Sequence, residues 1–287
     1  MSGFLDDMAR SSAARVAEAI RHESTQALER RARAMPPSLP LRLSGAGFDV
    51  IAELKLRSPA VGRLGDASQD WLGRIAAYAR GGAAAVSVLT EPSRFDGTLD
   101  HLRQAAQVLA PLGVPAMRKD FLVDPYQILE ARVAGAGGVL VILRMLSRPQ
   151  IVELLDVAAE HGMFVLLEAF DEVDLSAAHD LLNSRAAHRA LRGAAHRAEH
   201  EEQILIGINS RDLQTLQVVQ ERFAALAPLL PAGWPAVAES GVASAGDARR
   251  MRQLGYGVAL IGTALMAHED PSRLLHEMFA AARTVRG

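Results

Sequence analysis

The sequence predicts an α/β protein, a (β/α)8 TIM barrel with an N-terminal helical extension. Eight short apolar segments alternate with helical patterns along most of the chain, as in a barrel built from repeated strand–helix units. The segments are continuously apolar, as strands buried on both faces of a parallel sheet are. An open doubly wound sheet is the alternative fold. It is less favoured because no G-x-G-x-x-G motif follows the first segment.

The predicted strands all lie after residue 47. They cover residues 50–54, 84–89, 114–117, 139–143, 164–167, 204–208, 236–238 and 258–261. Residues 1–47 predict a helical extension and linker, and residues 48–287 predict the barrel. Within the extension, residues 4–34 predict one helix, which the prolines after Met35 end. Its apolar face is formed by Leu5, Met8, Val16, Ile20 and Leu28.

Helix signals occupy the stretches between the predicted strands. Apolar residues recur there at helical spacing, as at Trp71, Ile75 and Tyr78. Glycines follow several predicted helix ends, where a left-handed residue commonly closes a helix. Helix starts are marked by N-cap residues, two of them followed by proline at the first helical position: Asp124-Pro125, Ser147, Ser244 and Asp270-Pro271.

One connection is longer than the others. Residues 173–182 suffice for the helix after the fifth strand, yet residues 183–203 intervene before the sixth. This alanine-, arginine-, histidine- and glutamate-rich stretch predicts a partly helical surface insertion. His196 and His200 lie four residues apart beside Glu201, which makes a metal site conceivable. A solvated helical face is the favoured interpretation, because nothing apolar flanks the pair to exclude water.

Composition excludes several classes of function. The net charge of −2 gives no sign of a nucleic-acid or anionic-membrane partner. The N-terminus has acidic residues and no secretory signal, and no apolar stretch is long enough to span a bilayer, so a cytoplasmic protein is expected. The absence of cysteine excludes disulfides, thiolate catalysis and cysteine-bound metal.

Polar residues follow most predicted strands, at the end where barrel enzymes carry their active sites. Glu53 and Lys55 alternate along one strand and therefore share a face, which in a barrel can be the lumen. Several carboxylates and lysines converging in one pocket are costly for stability, so they indicate an enzyme. The set is Glu53, Lys55, Ser58, Thr90, Glu91, Arg118, Lys119, Asp120, Glu168, Asn209, Ser210, Arg211, Asp212, Glu239, Ser240, Gly262 and Thr263.

Lys119 is the leading candidate for chemistry, because a partly buried ammonium beside carboxylates can be tuned as a general acid. An isolated lysine at a strand end is more often a solvated partner in an ordinary salt bridge. The charged ends of the other predicted strands favour the catalytic interpretation.

Small residues after the seventh and eighth strands indicate a phosphate site. Ser240-Gly241 and Gly262-Thr263 offer backbone N–H groups where this fold often binds phosphate. The alternative is that these glycines serve only tight turns. The phosphate interpretation is favoured because the position in the fold is right.

Seven stretches, in order along nearly the whole chain, carry a family resemblance. They are IAELKLRSPAVG, AVSVLTEPSRFDG, VPAMRKDFLVDPYQILEARVAGAGGVLVI, LLEAFDEVDL, IGINSRDLQTLQV, VAESGV and ALIGTALM. Through these motifs, above all RKDF-x-x-DPYQ and GINSRDL, the chain resembles the indole-3-glycerol phosphate synthase family. The N-terminal helix also matches the extension that precedes the barrel in that family.

The resemblance implies a carboxy-lyase of tryptophan biosynthesis. The family closes 1-(2-carboxyphenylamino)-1-deoxyribulose 5-phosphate to indole-3-glycerol phosphate, with loss of CO2 and water. Lys119 matches the general acid that protonates the ketone oxygen. Glu53, Lys55 and Glu168 match the residues for the remaining proton transfers, in a division that the sequence leaves open. Lys55 is also expected to reach the phosphate.

The resemblance further implies the substrate contacts and partners. The expected partner is the phosphorylated small-molecule substrate, no metal or organic cofactor is implied, and a monomer or weak homodimer is expected. The chain ends after the eighth unit, so no fused isomerase domain is expected. The implied substrate-binding residues are Ser58, Phe121, Asn209, Arg211, Glu239 and Ser240. The implied phosphate-binding residues are Lys55, Ser240, Gly241, Gly262 and Thr263.

Two motifs depart from the family pattern, in addition to the insertion at 183–203 that lengthens the fifth strand–helix segment. The motif more often written S-P-S-K-G is SPAVG at 58–62, which loses a hydroxyl and a cation from the loop after the first strand. The stretch usually written E-V-H or E-I-N is EAF at 168–170. Both departures affect the fit of the substrate, so a paralogue acting on a modified anthranilate stays an alternative.

Two other functions compete with this one. Phosphoribosylanthranilate isomerase is another phosphate-binding barrel, but it needs a Cys/Asp acid–base pair and this chain has no cysteine. A non-catalytic binding barrel would tolerate the loss of Lys119 or Glu168, and both are present.

Overall fold

Eight parallel strands form a closed barrel in the computed structural model, which describes residues 3–55, 57–58, 62–63, 70–192, 203–213 and 215–285. In chain order the strands are β1 (Asp49–Leu54), β2 (Arg57–Ser58), β3 (Gly62–Arg63), β4 (Ala85–Leu89), β5 (Ala116–Lys119), β6 (Gly138–Ile142), β7 (Phe164–Ala169), β8 (Ile204–Asn209), β9 (Ala236–Glu239) and β10 (Val258–Ile261). β2 and β3 pair with each other as a hairpin outside the barrel. Each barrel strand pairs with its neighbour in sequence, and β10 closes the ring against β1. The predicted barrel is confirmed.

Alternation along the strands separates the lumen from the outer layer. In β1, Ile51 packs in the lumen cluster with residues such as Leu140, whereas Val50 and Leu54 pack outward against the helices. Side chains two residues apart on a strand share a face. Glu53 therefore points into the lumen, at the end of the strand where the chain leaves the barrel.

Helices alternate with the strands and cover the barrel. In chain order they are α1 (Phe4–His22), α2 (Thr25–Ala34), α3 (Trp71–Arg80), α4 (Pro92–Phe95), α5 (Leu99–Leu109), α6 (Pro125–Val133), α7 (Arg148–Glu160), α8 (Glu172–Arg192), α9 (Glu221–Leu226), α10 (Ala245–Gln253), α11 (Thr263–Ala267) and α12 (Pro271–Arg283). The N-caps predicted at Asp124, Ser147, Ser244 and Asp270 are present, the two serines as capping boxes. Among the helices of the described residues, none is long and apolar enough to cross a membrane.

The single helix predicted over residues 4–34 is wrong, because the structure has two helices that divide at Glu23 and Ser24. Both dividing residues are extended, and Ser24 caps α2 by accepting the N–H of Ala27 at 3.3 Å. Serine favours a cap over a helix interior because its hydroxyl binds nearby backbone groups. Ile20, predicted on the buried face, is 40% exposed.

The two N-terminal helices dock at different places. α2 packs on α6, where Leu28 lies in one apolar cluster with Tyr126. The Tyr126 hydroxyl donates to the backbone oxygen of Glu23 at 3.0 Å. α1 lies at the carboxyl ends of the barrel strands, where Met8 joins the lumen cluster and Phe4 packs against it. The extension therefore contributes side chains to the end of the barrel where an active site belongs.

The helix after the fifth barrel strand is longer than predicted. α8 runs to Arg192 rather than ending at residue 182, so the first half of the predicted insertion continues this helix. Arg185, in the added part of α8, forms an ion pair of 2.8 Å with Asp156 of α7. The metal site considered at His196 and His200 lies outside the described residues. Since α8 starts at the carboxyl ends of the strands, its own end lies at the opposite side of the barrel.

Candidate active site

A cavity of about 420 Å³ opens at the carboxyl ends of the barrel strands. Parallel strands of a barrel end at one rim, so residues far apart in the sequence meet there. Ser58 was also predicted for this site; its backbone belongs to the hairpin β2–β3, and its side chain lies outside the described part of the structure. The other predicted site residues all line the cavity: Glu53, Lys55, Lys119, Phe121, Glu168, Asn209, Arg211, Glu239, Ser240, Gly241, Gly262 and Thr263.

Two lysines and two glutamates form a chain of ion pairs across the cavity. Lys55 Nζ lies 3.0 Å from Glu53 Oε1. Lys119 Nζ lies 3.9 Å from Glu53 Oε2 and 3.9 Å from Glu168 Oε2. Both carboxylates are almost completely buried, at 4% exposure for Glu53 and 2% for Glu168. Lys119 therefore sits between two carboxylates, close to each but hydrogen-bonded to neither.

Mutual pairing keeps Glu53 and Lys119 ionised although they are buried. Burial alone raises the pKa of a carboxyl and lowers that of an ammonium. Around Glu53 the charges of Lys55 and Lys119 outweigh burial, and its pKa is lowered. Around Lys119 the charges of Glu168 and Glu53 outweigh burial, and its pKa is raised. Lys119 is therefore an ammonium with a proton to give at neutral pH.

Asn209 holds Glu168 in a fixed orientation. Its amide Nδ2 donates to Glu168 Oε1 at 2.7 Å. Its Oδ1 accepts from the Arg211 backbone N–H at 2.9 Å and from the Ser240 hydroxyl at 2.9 Å. Because the oxygen is occupied by two donors, the amide nitrogen must face Glu168. The sequence predicted Asn209 as a substrate contact and did not predict this link between two strand ends.

Arg211 lies at the mouth of the cavity, just after β8. Its Nη1 donates to the Leu216 carbonyl at 2.6 Å, which fixes one side of the guanidinium. The turn itself is supported from below by Arg222, whose Nη1 donates to the Asn209 carbonyl at 2.7 Å. The remaining N–H groups of Arg211 form a planar fork suited to a carboxylate or a phosphate.

The turns after β9 and β10 need small residues. Ser240 and Gly241 have φ of 66° and 81°, a left-handed conformation that favours glycine. A Cβ built on Gly262 would lie 2.5 Å from Glu53 Oε1, so the carboxylate of Glu53 occupies the space that a side chain would need. Thr263 begins α11, and the N–H groups of a first helical turn lack intrahelical partners.

An aromatic wall faces the charged groups. Phe4 of α1 meets Phe121 edge to face, with ring centroids 5.7 Å apart, and Phe95 lies 6.3 Å from Phe121. All three rings line the cavity. Since Phe4 comes from the N-terminal helix, the wall of the pocket is completed by a segment outside the barrel. This arrangement suits a flat, apolar ring beside a charged group.

Phe170 belongs to the same wall and has a support of its own. The Arg144 guanidinium lies 4.6 Å from the centre of its ring. Arg144 is held in turn by ion pairs of 2.5 Å with Asp171 and 2.7 Å with Asp174. The aromatic residue that replaces the usual third residue of the E-V-H stretch is therefore fixed in place rather than loosely accommodated.

α1 is anchored beside Lys119. Arg15 grips the carboxylate of Asp120 with two hydrogen bonds of 2.9 and 2.8 Å. The Ser12 hydroxyl donates to the Phe121 carbonyl at 2.5 Å. Burial raises the pKa of Asp120, but the hydrogen bond from Arg15 and the charge of Arg118 outweigh it and the pKa is lowered. Asp120 and Arg118, predicted from sequence as part of the polar set, therefore act as an anchor for α1.

Comparison with known proteins identifies the family. Residues 5–186 and 194–278 match the family model described as Indole-3-glycerol phosphate synthase. A protein of that name from Parafrankia sp. (strain EAN1pec) is 37% identical over 91% of this chain and 89% of its own length. Those from Methanopyrus kandleri and Mycobacteroides abscessus are 38% and 36% identical, over 88% and 98% of this chain and 91% and 94% of their own lengths. The chain belongs to the indole-3-glycerol phosphate synthase family.

Solved structures agree with the fold of this synthase family member. 3-Hexulose-6-phosphate synthase from Salmonella typhimurium superimposes with a TM-score of 0.57 at 11% identity, over 82% of this chain and 98% of its own. Orotidine 5'-phosphate decarboxylase from Pyrococcus horikoshii OT3 gives 0.53 at 13% identity, over 82% and 100%. At such identities the likeness shows the barrel alone.

The count of lysines in this synthase family member is a signal that the sequence analysis missed. The full sequence contains two lysines, Lys55 and Lys119, and all its other residues with a strongly basic side chain are arginines. Both lysines line the cavity. Arginine keeps its proton under all ordinary conditions, whereas lysine can release one. A chain that uses arginine everywhere else and lysine at these two positions points to proton transfer there.

Proposed function

We propose that the cavity is the active site in which 1-(2-carboxyphenylamino)-1-deoxyribulose 5-phosphate is closed to indole-3-glycerol phosphate with release of CO2 and water, the carboxy-lyase reaction EC 4.1.1.48 of tryptophan biosynthesis. The observation that carries the proposal is the Lys119 ammonium, held 3.9 Å from each of two buried carboxylates in a cavity with an aromatic wall. The chemistry needs a proton donor of this kind beside a flat aromatic ring.

Ring closure uses Lys119 as the acid. The ring carbon that bears the carboxylate attacks the ketone carbon, a C–C bond forms, and the ketone oxygen takes the proton of Lys119. The C–C bond to the carboxylate then breaks and CO2 leaves, which restores the aromatic ring. Glu53 and Glu168 favour the charged lysine before the proton moves and favour its reprotonation afterwards.

Dehydration uses the other lysine and the freer carboxylate. Lys55 supplies the proton with which the new hydroxyl leaves as water. Glu168 takes the last proton as the five-membered ring becomes aromatic. This division follows from the contacts: Glu53 is occupied by both ammonium groups, whereas Glu168 has one amide donor and an Oε2 without a hydrogen-bond partner among the described residues.

Substrate binding is proposed along the length of the cavity. Arg211 pairs with the substrate carboxylate, and Phe121, with Phe4, holds its ring. The ends of β9 and β10 bind the phosphate through Ser240, Gly241, Gly262 and Thr263, with Lys55 nearby. Ser58, Asn209 and Ser240 complete the set of proposed substrate contacts, and Glu239, which the family resemblance implies as a further contact, adjoins them in the cavity.

We also propose a setting for the enzyme. It works in the cytoplasm as a monomer or weak homodimer, with residues 1–47 as an extension of the barrel over 48–287. It requires no metal or organic cofactor, because the cavity supplies two proton donors, a base and cations for the substrate charges. Its partner is the phosphorylated substrate, and no nucleic acid is involved.

The function is tested by indole fluorescence. Purified protein is mixed with the carboxyphenylamino sugar phosphate, and the appearance of indole-3-glycerol phosphate is followed with and without enzyme. Wild type should turn the substrate over, and Lys119→Arg, which keeps the charge but not a transferable proton, should not. The absence of product with wild type, or equal turnover by both proteins, overturns the proposal.

A further inference from the structure

Glu239 is an acid of the described cavity to which neither the proposed proton transfers nor the anchoring of α1 gives a task. It ends β9 and is 1% exposed. Neither of its carboxyl oxygens has a hydrogen-bond partner among the described residues. An ionised carboxylate in that state would be a buried charge without a single hydrogen bond, which costs several kcal/mol.

The position of Glu239 follows from a glycine on the neighbouring strand. A Cβ built on Gly207 of β8 would lie 2.0 Å from Glu239 Oε1, so the carboxyl fills the place of the missing side chain. Gly207 is also the register partner of Glu168 on β7. The carboxyl of Glu239 therefore lies over Gly207, the residue paired with Glu168 on the neighbouring strand. Glu168 Oε2 likewise has no hydrogen-bond partner in the described structure.

One proton resolves this arrangement. Ionised carboxylates only accept hydrogen bonds, so two of them side by side leave their facing oxygens unsatisfied. If one is protonated, its O–H donates to the other, and like charges no longer face each other. Glu168 is placed to be the acceptor of the pair, because Asn209 already donates to one of its oxygens and Lys119 lies 3.9 Å away. Glu239 has no such donor, and the charge of Lys119 acts on it without a hydrogen bond among the described residues.

We propose that Glu239 is a neutral carboxylic acid in the resting enzyme and donates its O–H to Glu168, acting as a positioning residue for that base. Asn209 fixes one oxygen of Glu168, and the O–H of Glu239 occupies one of the two acceptor sites of the other oxygen, which leaves the second site open for the proton that Glu168 takes. The inference rests on the proposed role of Glu168 in the dehydration step. It gives Gly207 a purpose as well, because any side chain there would push the Glu239 carboxyl out of its place.

The electrostatics of the cavity point the same way. Burial, and after it the charge of Glu168, raises the pKa of Glu239 well above its usual range. The charge of Lys119 acts in the opposite direction but does not outweigh them. The substrate adds a carboxylate and a phosphate, so a further ionised carboxylate would oppose its binding. The charged or titratable groups that line the cavity with Glu239 are Glu53, Lys55, Lys119, Asp120, Glu168 and Arg211.

Infrared difference spectroscopy tests the proton directly and needs no substrate. Spectra of wild type and Glu239→Gln are recorded near neutral pH and subtracted. Wild type should show the C=O band of one protonated carboxyl that the variant lacks. A difference spectrum that contains only the bands of an ionised carboxylate overturns the proposal, whatever reaction the enzyme catalyses.

The pH dependence of unfolding gives a second, independent readout. A carboxyl with a raised pKa in the folded state stabilises the protein below its unfolded pKa of about 4.3, and this contribution is lost as pH rises through the folded pKa. Glu239→Gln does not titrate, so its melting temperature should rise relative to wild type as the pH increases above about 4. Exposed Glu153→Gln on α7 is the control and should show no such trend. The proposal is overturned if the melting temperature of Glu239→Gln falls relative to that of wild type as the pH rises.

Kinetics separate positioning from substrate binding. Glu239→Gln keeps an N–H donor and should keep turnover within about tenfold of wild type, whereas Glu239→Leu removes the donor and should lose about 10- to 100-fold in kcat with little change in KM. A raised KM with an unchanged kcat in both variants would show that Glu239 binds the substrate as a carboxylate and overturns the proposal. If Glu239→Leu fails to fold, the spectroscopic and unfolding tests of Glu239→Gln still decide. If wild type makes no indole product, the proposed function fails while those two tests still report on the proton.

Discussion

The ion pair between Lys119 and Glu168 makes a quantitative prediction. Their charged atoms are 3.9 Å apart. At an effective dielectric constant of about 20, two unit charges at this distance attract by roughly 4 kcal/mol. Glu53 lies equally close to Lys119 and remains in a Glu168→Gln variant, and Lys119 is 16% exposed, which weakens the interaction. Removing the Glu168 charge should therefore lower the pH at which Lys119 titrates by about one to three units.

The sign follows from the charges. Glu168 and Glu53 raise the pKa of Lys119 above the value of a free lysine, so the loss of one anion must lower it. Because the reaction needs the protonated lysine, the alkaline limb of the pH–kcat profile should move to lower pH in Glu168→Gln. The turnover number should fall by about 10²- to 10⁴-fold, as for the loss of a general base, with a smaller change in substrate affinity.

The low lysine content makes the assay simple. Protein labelled with ¹³C at the lysine Cε should give two side-chain signals, one from Lys55 and one from Lys119. A Lys55→Arg variant assigns them. The Lys119 signal is then titrated in wild type, in Glu168→Gln and in Glu153→Gln, where the lost charge lies on the exposed face of α7. A Lys119 titration that stays in place or moves upward in Glu168→Gln would refute the pairing, and Glu168 would then act without it.

Three further variants test other parts of the structure. Lys119→Arg should lower turnover at least about 10²-fold while its melting temperature stays within a few degrees of wild type, and turnover close to wild type would end the assignment of Lys119 as the acid. Arg15→Leu leaves buried Asp120 with fewer partners, so the free energy of unfolding measured in denaturant should fall by about 1–3 kcal/mol and KM should rise. Arg10→Leu, on the exposed face of the same helix, should change neither quantity. Equal behaviour of these two arginine variants would contradict the anchor. Replacing residues 193–202 with a glycine–serine linker of the same length should leave kcat and KM within about twofold, because α8 ends on the side of the barrel away from the cavity; a large loss of activity with an unchanged melting curve would contradict this placement.

Features that depend on neighbouring residues could be predicted from the sequence. Apolar segments of strand length predict the barrel strands, and Asp124 or Ser244 marks a helix start by a hydrogen bond within its own first turn. The site residues could be found for a related reason. Lys119 and Glu168 stand at strand ends, and the topology of a parallel barrel brings all strand ends to one rim.

Features that depend on distant contacts could not be predicted in this way. Nothing near Phe4 indicates that its ring meets Phe121, and nothing near Arg15 indicates that it grips Asp120. The break at Ser24 was missed because the apolar spacing continues through it, although the capping signal is present. The length of α8 was underestimated because the apolar spacing stops near residue 182. The helix continues from there through an alanine- and arginine-rich stretch, whose residues favour helix by their intrinsic propensity.

The docking of α1 also has a consequence for how the enzyme is made. Arg15 and its partner Asp120 are 105 residues apart, so α1 is synthesised long before the strand that receives it. Until then Met8 lacks the lumen residues that cover it, and contacts at such separation form slowly because loop-closure entropy opposes them. A barrel that had closed without recruiting α1 would hold its lysines and glutamates in place yet lack the Phe4 ring that completes the aromatic wall of the pocket. The first activity of a nascent molecule therefore requires the return of its earliest helix as well as the closure of the barrel.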